Sequence, residues 1–206
     1  MTQFLNKELI VNALINDEYF PFIHVDNIFS NMPASTNLIK DFPNISQGGS
    51  FNISSDYRSL NQLVEDFKSI EIKEILEDKF NINLKKSIVV PTIRGFSREK
   101  DGEIHSDSSS KILTILIYLN EKWDHENGSL RLLRNNDSLE DYIKEIPAIF
   151  GNMVIFKVTQ NCWHGYKAFE GIRKSIQINY VHNNSIKIHH IRHSISSFFK
   201  ALLPTK

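Results

Sequence analysis

Cysteine is almost absent from this 206-residue chain: Cys162 stands alone, so no internal disulfide can staple the fold. A reducing compartment suits such a chain, and a cytoplasmic location is the expectation. Long hydrophobic runs are missing as well. The longest, Ile112 to Leu119, already includes Thr114 and Tyr118, and a helix needs about 20 apolar residues to span a bilayer. The stretch Met1 to Glu8 carries both charge signs where a secretory signal would hold an apolar core, so no export signal is expected. Nor is there an excess of either charge sign: Lys+Arg and Asp+Glu both total 24. Proteins that bind nucleic acid by neutralising phosphates usually carry a basic surplus, and its absence argues against that partner. Repeats, low-complexity tracts and Gly/Ser-rich linkers are also lacking, which points to a single domain over 1–206.

A hydrophobic content of 41% with 23% charged residues is enough for a real core. The pattern divides into two unlike halves. Residues 1–86 read as mainly helical, most clearly from Tyr57 to Phe80, where Leu60, Leu63, Val64, Phe67, Ile70, Ile75 and Leu76 recur near helical spacing. Residues 87–182 break into short β-rich runs: Ser87–Phe96, Lys111–Leu119, Ser129–Arg134, Met153–Val158 and Ile172–His182. Turns separate them at Lys100-Asp101-Gly102, Glu126-Asn127-Gly128 and Phe150-Gly151-Asn152. Strands without helices between them indicate an antiparallel sandwich or barrel. A helical, mildly basic tail is expected over 183–206.

Side-chain alternation orients two of the strands. Arg173, Ser175, Gln177 and Asn179 share one face of the last strand, opposite Ile176, Ile178 and Tyr180. The polar face either meets water or lines a cavity, in which case the helical half covers the apolar face. Thr114, Leu116 and Tyr118 share a face of an earlier strand, so Tyr118 could point into the same cavity.

The chemistry concentrates in His105-Ser106-Asp107, His164 and Arg173. Residues i and i+2 of an extended segment lie on one side, so His105 and Asp107 can reach a single ion. His164 follows 59 residues later (164 − 105) and must come from a neighbouring strand. Two imidazoles and a carboxylate make the facial triad that holds Fe(II) and leaves positions open. Arg173, nine residues beyond His164 (173 − 164), offers a guanidinium to a co-substrate carboxylate. The hydroxyls of Tyr118 and Ser175 could add donors.

From about Ser87 to Val181 the chain resembles the double-stranded β-helix (jelly-roll) core of the Fe(II)/2-oxoglutarate dioxygenases, in the branch containing the prolyl 4-hydroxylases. The likeness includes His105-x-Asp107, His164, Arg173, Tyr118-Leu119-Asn120 followed by Trp123, Asn127-Gly128-Ser129-Leu130 and Pro147 to Phe156. Pro21-Phe22-Ile23-His24-Val25 is similar to the opening segment of bacterial members. The resemblance implies an α+β fold, with N-terminal helices packed on one sheet of the jelly roll. It implies iron at His105, Asp107 and His164, 2-oxoglutarate at Arg173 and Tyr118, with Ser175 beside them, and ascorbate as an accessory reductant. The implied reaction turns 2-oxoglutarate and O₂ into succinate and CO₂ while a small-molecule or peptidyl substrate is hydroxylated. Asp107 favours hydroxylation over halogenation, because the family's halogenases lack that carboxylate. The chain departs from the prolyl hydroxylases at Thr92-Ile93-Arg94-Gly95-Phe96, which lacks their tyrosine, and at Asn127-Gly128-Ser129-Leu130 in place of Gly-Gly-Glu-Leu. Both departures weigh against a prolyl substrate.

Two rivals use the same scaffold: a cupin-like zinc protein without redox activity, and a catalytically silent binding protein. The remaining signals read as ordinary. Arg94, Arg98 and Lys100 form a solvated charge run, and His189 and His193 lie on the polar side of the tail helix. Cys162 is a packing residue, and His24, His125 and His182 have no evident partner.

Overall fold

The computed structural model describes residues 4–30 and 32–183; the tail helix expected over 183–206, with His189 and His193, falls almost wholly outside them. The helices are α1 (Lys7–Asn12), α2 (Met32–Asp41), α3 (Arg58–Lys68) and α4 (Ile70–Phe80). The strands are β1 (Phe22–Val25), β2 (Ser87–Ser97), β3 (Lys111–Tyr118), β4 (Leu130–Leu133), β5 (Tyr142–Ile146), β6 (Met153–Lys157), β7 (His164–Gly165) and β8 (Gly171–His182). They form a five-stranded sheet in the order β1-β6-β3-β8-β2 and a three-stranded sheet in the order β5-β4-β7. Every strand pairing in both sheets is antiparallel.

The helical period from Tyr57 to Phe80 is real, but the structure divides it into two helices at Ser69. Ser69 sits at φ −59°, ψ 146°, outside helical space, and its hydroxyl accepts the Ile72 amide at 3.3 Å. A capping side chain with extended backbone starts a new helix and ends the old one. Leu60, Leu63, Val64 and Phe67 of α3 are fully or almost fully buried. So are Ile72, Leu76 and Phe80 of α4.

These helices pack against the apolar face of the large sheet, where Ile115, Ile117, Ile155, Ile176 and Ile178 join them in one core. The Tyr180 hydroxyl donates to the Phe67 carbonyl and ties sheet to helix layer. A second, smaller core lies between the sheets. Tyr118, Val154 and Phe156 of the large sheet meet Leu130, Leu132 and Ile146 of the small one there. Of the two orientations open to β8, the helices therefore cover the apolar face, and the polar Arg173, Ser175 and Asn179 are buried on the other. Cross-strand register places Tyr118, Ser175 and Arg94 side by side, and Leu116 beside Gln177.

Three strands escaped the sequence pattern. β1 lies inside the helical half, β5 is a half-buried five-residue run with two charged residues, and β7 has two residues. No helix among the described residues is long and apolar enough to cross a membrane. Leu63 is 0% exposed within the helix–sheet core. Leu63→Ala is expected to cost about 2–5 kcal/mol of stability, as cavity-forming leucine truncations do, measured by urea unfolding. A loss below about 1 kcal/mol would contradict the packing described.

Candidate metal centre

His105 lies just outside the regular strands and is bridged to β7 by two backbone bonds. His105 donates its amide to the His164 carbonyl at 3.0 Å, and His164 returns the bond at 2.9 Å. Opposed residues of such a bridge project their side chains to the same side, and the two imidazole centroids are 4.3 Å apart. Asp107, two residues on, reaches the same point. One donor atom from each of His105, Asp107 and His164 falls within 4.8 Å of the others.

Each donor is oriented by a partner. The Nδ1 of His105 is 2.8 Å from the Glu103 carbonyl, and that of His164 is 2.8 Å from the Cys162 carbonyl. Carbonyls only accept, so both Nδ1 atoms carry the proton and both Nε2 lone pairs are left for a ligand. Asp107 receives the Lys111 ammonium on Oδ1 at 2.6 Å and the Thr114 hydroxyl on Oδ2. Burial works to raise the Asp107 pKa. Lys111, His164 and the hydrogen bonds from Lys111 and Thr114 outweigh it, leaving the carboxyl below its ordinary value. Burial, then the neighbouring His105, push His164 down to about 4. A neutral imidazole and an ionised carboxylate are the forms a divalent cation needs. That Asp107 already engages one cation, an ammonium, is consistent with the same fit.

On β8, Arg173 is 6% exposed. Its Nε donates to the Gly128 carbonyl at 2.7 Å, and an Nη donates to the Tyr118 hydroxyl oxygen at 3.1 Å. The guanidinium carbon lies 4.0 Å from the Tyr166 ring centroid and 5.0 Å from that of Tyr118. Burial raises the Tyr118 pKa despite the opposing pull of Arg173, so the phenol keeps its proton and can donate it. Ser175 is buried beside Tyr118 across the β3–β8 register.

The fold gathers the donors of His105, Asp107 and His164, and separately sets Tyr118 beside Arg173 and Ser175; the groups that support them were missed in the sequence. Lys111, Thr114, Tyr166 and Gly128 hold or flank the named groups. Lys111 and Thr114 follow Asp107 by four and seven residues, a local spacing that was the available signal. Within the Arg94, Arg98 and Lys100 run, Arg98 is tied to Asp101 at 2.7 Å. Arg94 faces Ser175 from the edge strand and donates to Ser50 at 2.8 Å.

The buried His164 makes stability depend on pH in the metal-stripped protein. Its folded pKa of about 4 lies below the ordinary 6.5, so between those values the unfolded chain binds the extra proton. Stability should rise with pH across that window by up to about 3 kcal/mol and flatten above it. Urea unfolding from pH 4 to pH 7 in EDTA measures this. An unchanged slope in His164→Asn would exclude His164 as its source.

Residues 94–182, which hold all three donors and Arg173, match the family model described as 2OG-Fe(II) oxygenase superfamily. Solved structures share the fold. A Trichoplax adhaerens prolyl hydroxylase, in complex with a hypoxia inducible factor oxygen degradation domain peptide, aligns at TM-score 0.62 and 15% identity over 88% of this chain and 91% of its own. A Pseudomonas putida prolyl-4-hydroxylase aligns at 0.55 and 13% over 78% and 86%. HygX from Streptomyces hygroscopicus, with nickel and 2-oxoglutarate bound, aligns at 0.57 and 11% over 80% and 84%. No curated protein matches the sequence. The sequence match spans 89 of the 206 residues (182 − 94 + 1), so the segment holding the three donors and Arg173 is similar to the 2OG-Fe(II) oxygenase superfamily, on a fold that these solved structures share.

Proposed function

We propose that the protein is an Fe(II)- and 2-oxoglutarate-dependent dioxygenase that hydroxylates a C–H bond of its substrate. One observation carries the reading: donor atoms of His105, Asp107 and His164 gather within 4.8 Å, and the same jelly roll buries Arg173 on β8. Three protein ligands on one side of an iron leave positions open for small molecules. When bound, iron with 2-oxoglutarate supplies oxidation: the co-substrate and O₂ become succinate and CO₂, and one oxygen atom passes to the substrate.

The chain's own residues place and shield that chemistry. His105 and His164 present Nε2 because their Nδ1 protons are held by carbonyls. Asp107 supplies the anionic ligand, with Thr114 fixing its second oxygen. Arg173 receives the distal carboxylate of 2-oxoglutarate, because its Nε is already pinned and its outer nitrogens form a paired, charge-assisted donor edge. Tyr118 and Ser175 donate beside it. Val154, Phe156 and Leu132 keep water from the inner wall. The helical part over 1–86 and the core over 87–182 share one apolar layer, which supports a single oxygenase domain. A reducing cytoplasm would keep both Cys162 and Fe(II) reduced.

Asp107→Ala and His105→Ala are expected to lose metal binding and succinate formation together. Arg173→Ala should bind metal normally but raise the 2-oxoglutarate requirement by about 10- to 100-fold, the worth of a charged hydrogen-bonded pair. Metal content and succinate release, assayed at limiting iron, separate these effects. Full succinate production by Asp107→Ala would defeat the assignment. Zinc retention without oxygen consumption would favour the non-oxidative rival.

A further inference from the structure

A groove of about 650 Å³ opens beside the triad, across the end of the large sheet. Ser106, Asp107, Lys111, Lys157, Gln160 and His182 are among its lining residues, and Asp107 is the one carboxylate on it. Its size falls within the range of small-ligand sites, roughly 300–1,000 Å³. Because Asp107 lines it, a molecule lying there reaches the metal end of the cavity.

The charges on that groove do not balance. On the oxygenase reading, a divalent cation and Arg173 together carry three positive charges. Asp107 and the two carboxylates of 2-oxoglutarate cancel them. Lys111, paired with Asp107 at 2.6 Å, then has to share that carboxylate with the cation, and Lys157 finds no carboxylate of its own on the groove. Lys111 has a side chain only 17% exposed, so it carries its charge in a poorly solvated place. The Lys157 ammonium donates to the Phe80 carbonyl at a long 3.5 Å. Two weakly compensated cations flanking an otherwise neutral groove attract an anion, and each ammonium keeps donors free for it. A second hollow, of about 500 Å³, offers no such bias, because its lining holds Arg98 and Lys100 together with Glu99 and Glu170.

We propose that this groove seats the primary substrate, and that the substrate is a small anion whose carboxylate or phosphate is received by Lys157 and Lys111. The inference rests on the oxygenase reading above and adds the substrate's chemical class. The C–H bond to be oxidised then lies between the anionic group and the metal.

The test uses full-length protein loaded with Ni(II) and 2-oxoglutarate, and ligand-observed NMR with probe pairs differing by one anionic group. One arm pairs free L-amino acids with their carboxamides, and the other pairs sugar phosphates with the parent sugars. Anionic members of one arm should bind where their neutral twins do not, which also separates carboxylate from phosphate. Lys157→Gln should weaken that binding by about 10-fold or more, the worth of a charge-assisted hydrogen bond, with Lys157→Arg restoring most of it. Affinity for 2-oxoglutarate should stay within about twofold in both variants, since Lys157 does not touch it. Equal binding of neutral twins, an unaffected Lys157→Gln, or a panel in which nothing binds would overturn the proposal. So would binding of an uncharged prolyl peptide in their place. In those outcomes 2-oxoglutarate still binds and the oxygenase reading stands; failure of 2-oxoglutarate to bind the nickel-loaded protein removes both.

Discussion

Two backbone hydrogen bonds between His105 and His164 are the constraint on which the site depends. They join residues separated by 59 positions, and without them the imidazoles belong to unrelated loops. The bridge lies outside the long ladders, so the rest of the fold must deliver both strands to it. β7 pairs with β4 through Leu132 and His164, and β4 belongs to the small sheet. Asp107 instead is anchored towards the large sheet, through Lys111 and Thr114 of β3. The His105, Asp107 and His164 cluster thus draws on both sheets, and its integrity reports on their packing.

The inversion of polarity on β8 has the same origin. A strand with one polar face usually turns it to water, and here it turns inward because α3 and α4 cover the apolar face. The inner polar groups then need partners, and they largely find one another. Thr114 donates to Asp107, with Asn179 oxygen 3.1 Å from the same hydroxyl, and Gln177 donates to Asn179 at 3.1 Å. A connected network of this kind holds its members in one arrangement, since each displaced group would leave another unsatisfied in a poorly solvated place. The triad's carboxylate is positioned through that network as well as by its own backbone.

Legibility in the sequence followed the range of the interaction. Five of the strands, the turns between them and the placing of His105 and Asp107 on one side were readable because side-chain alternation and His-x-Asp spacing are local signals. The break at Ser69 was not, because the apolar period continues through it and only the capping hydroxyl marks the boundary. β5 and β7 were hidden because pairing partners define them, not composition. The supports of Arg173 were the least visible. Gly128 is 45 residues away in sequence, and what it contributes is a backbone carbonyl, which no residue-type pattern records.

That carbonyl explains why a glycine stands there. Gly128 has φ +85°, a conformation side chains rarely adopt. A Cβ at that position would lie 2.8 Å from Trp123 and 2.9 Å from Phe169. The two rings, 5.0 Å apart between centroids, therefore close directly onto the glycine. Only a residue without a side chain lets the turn carry its carbonyl to the Arg173 Nε while the rings pack above it. With that nitrogen fixed, and Tyr166 and Tyr118 flanking the guanidinium plane, the group loses the freedom a long side chain normally keeps. Arginine suits this place better than lysine, because a planar fork with one edge pinned still offers a paired edge, whereas an ammonium has no second edge to aim. The Gly128 turn thus fixes the Arg173 guanidinium as much as the flanking rings do.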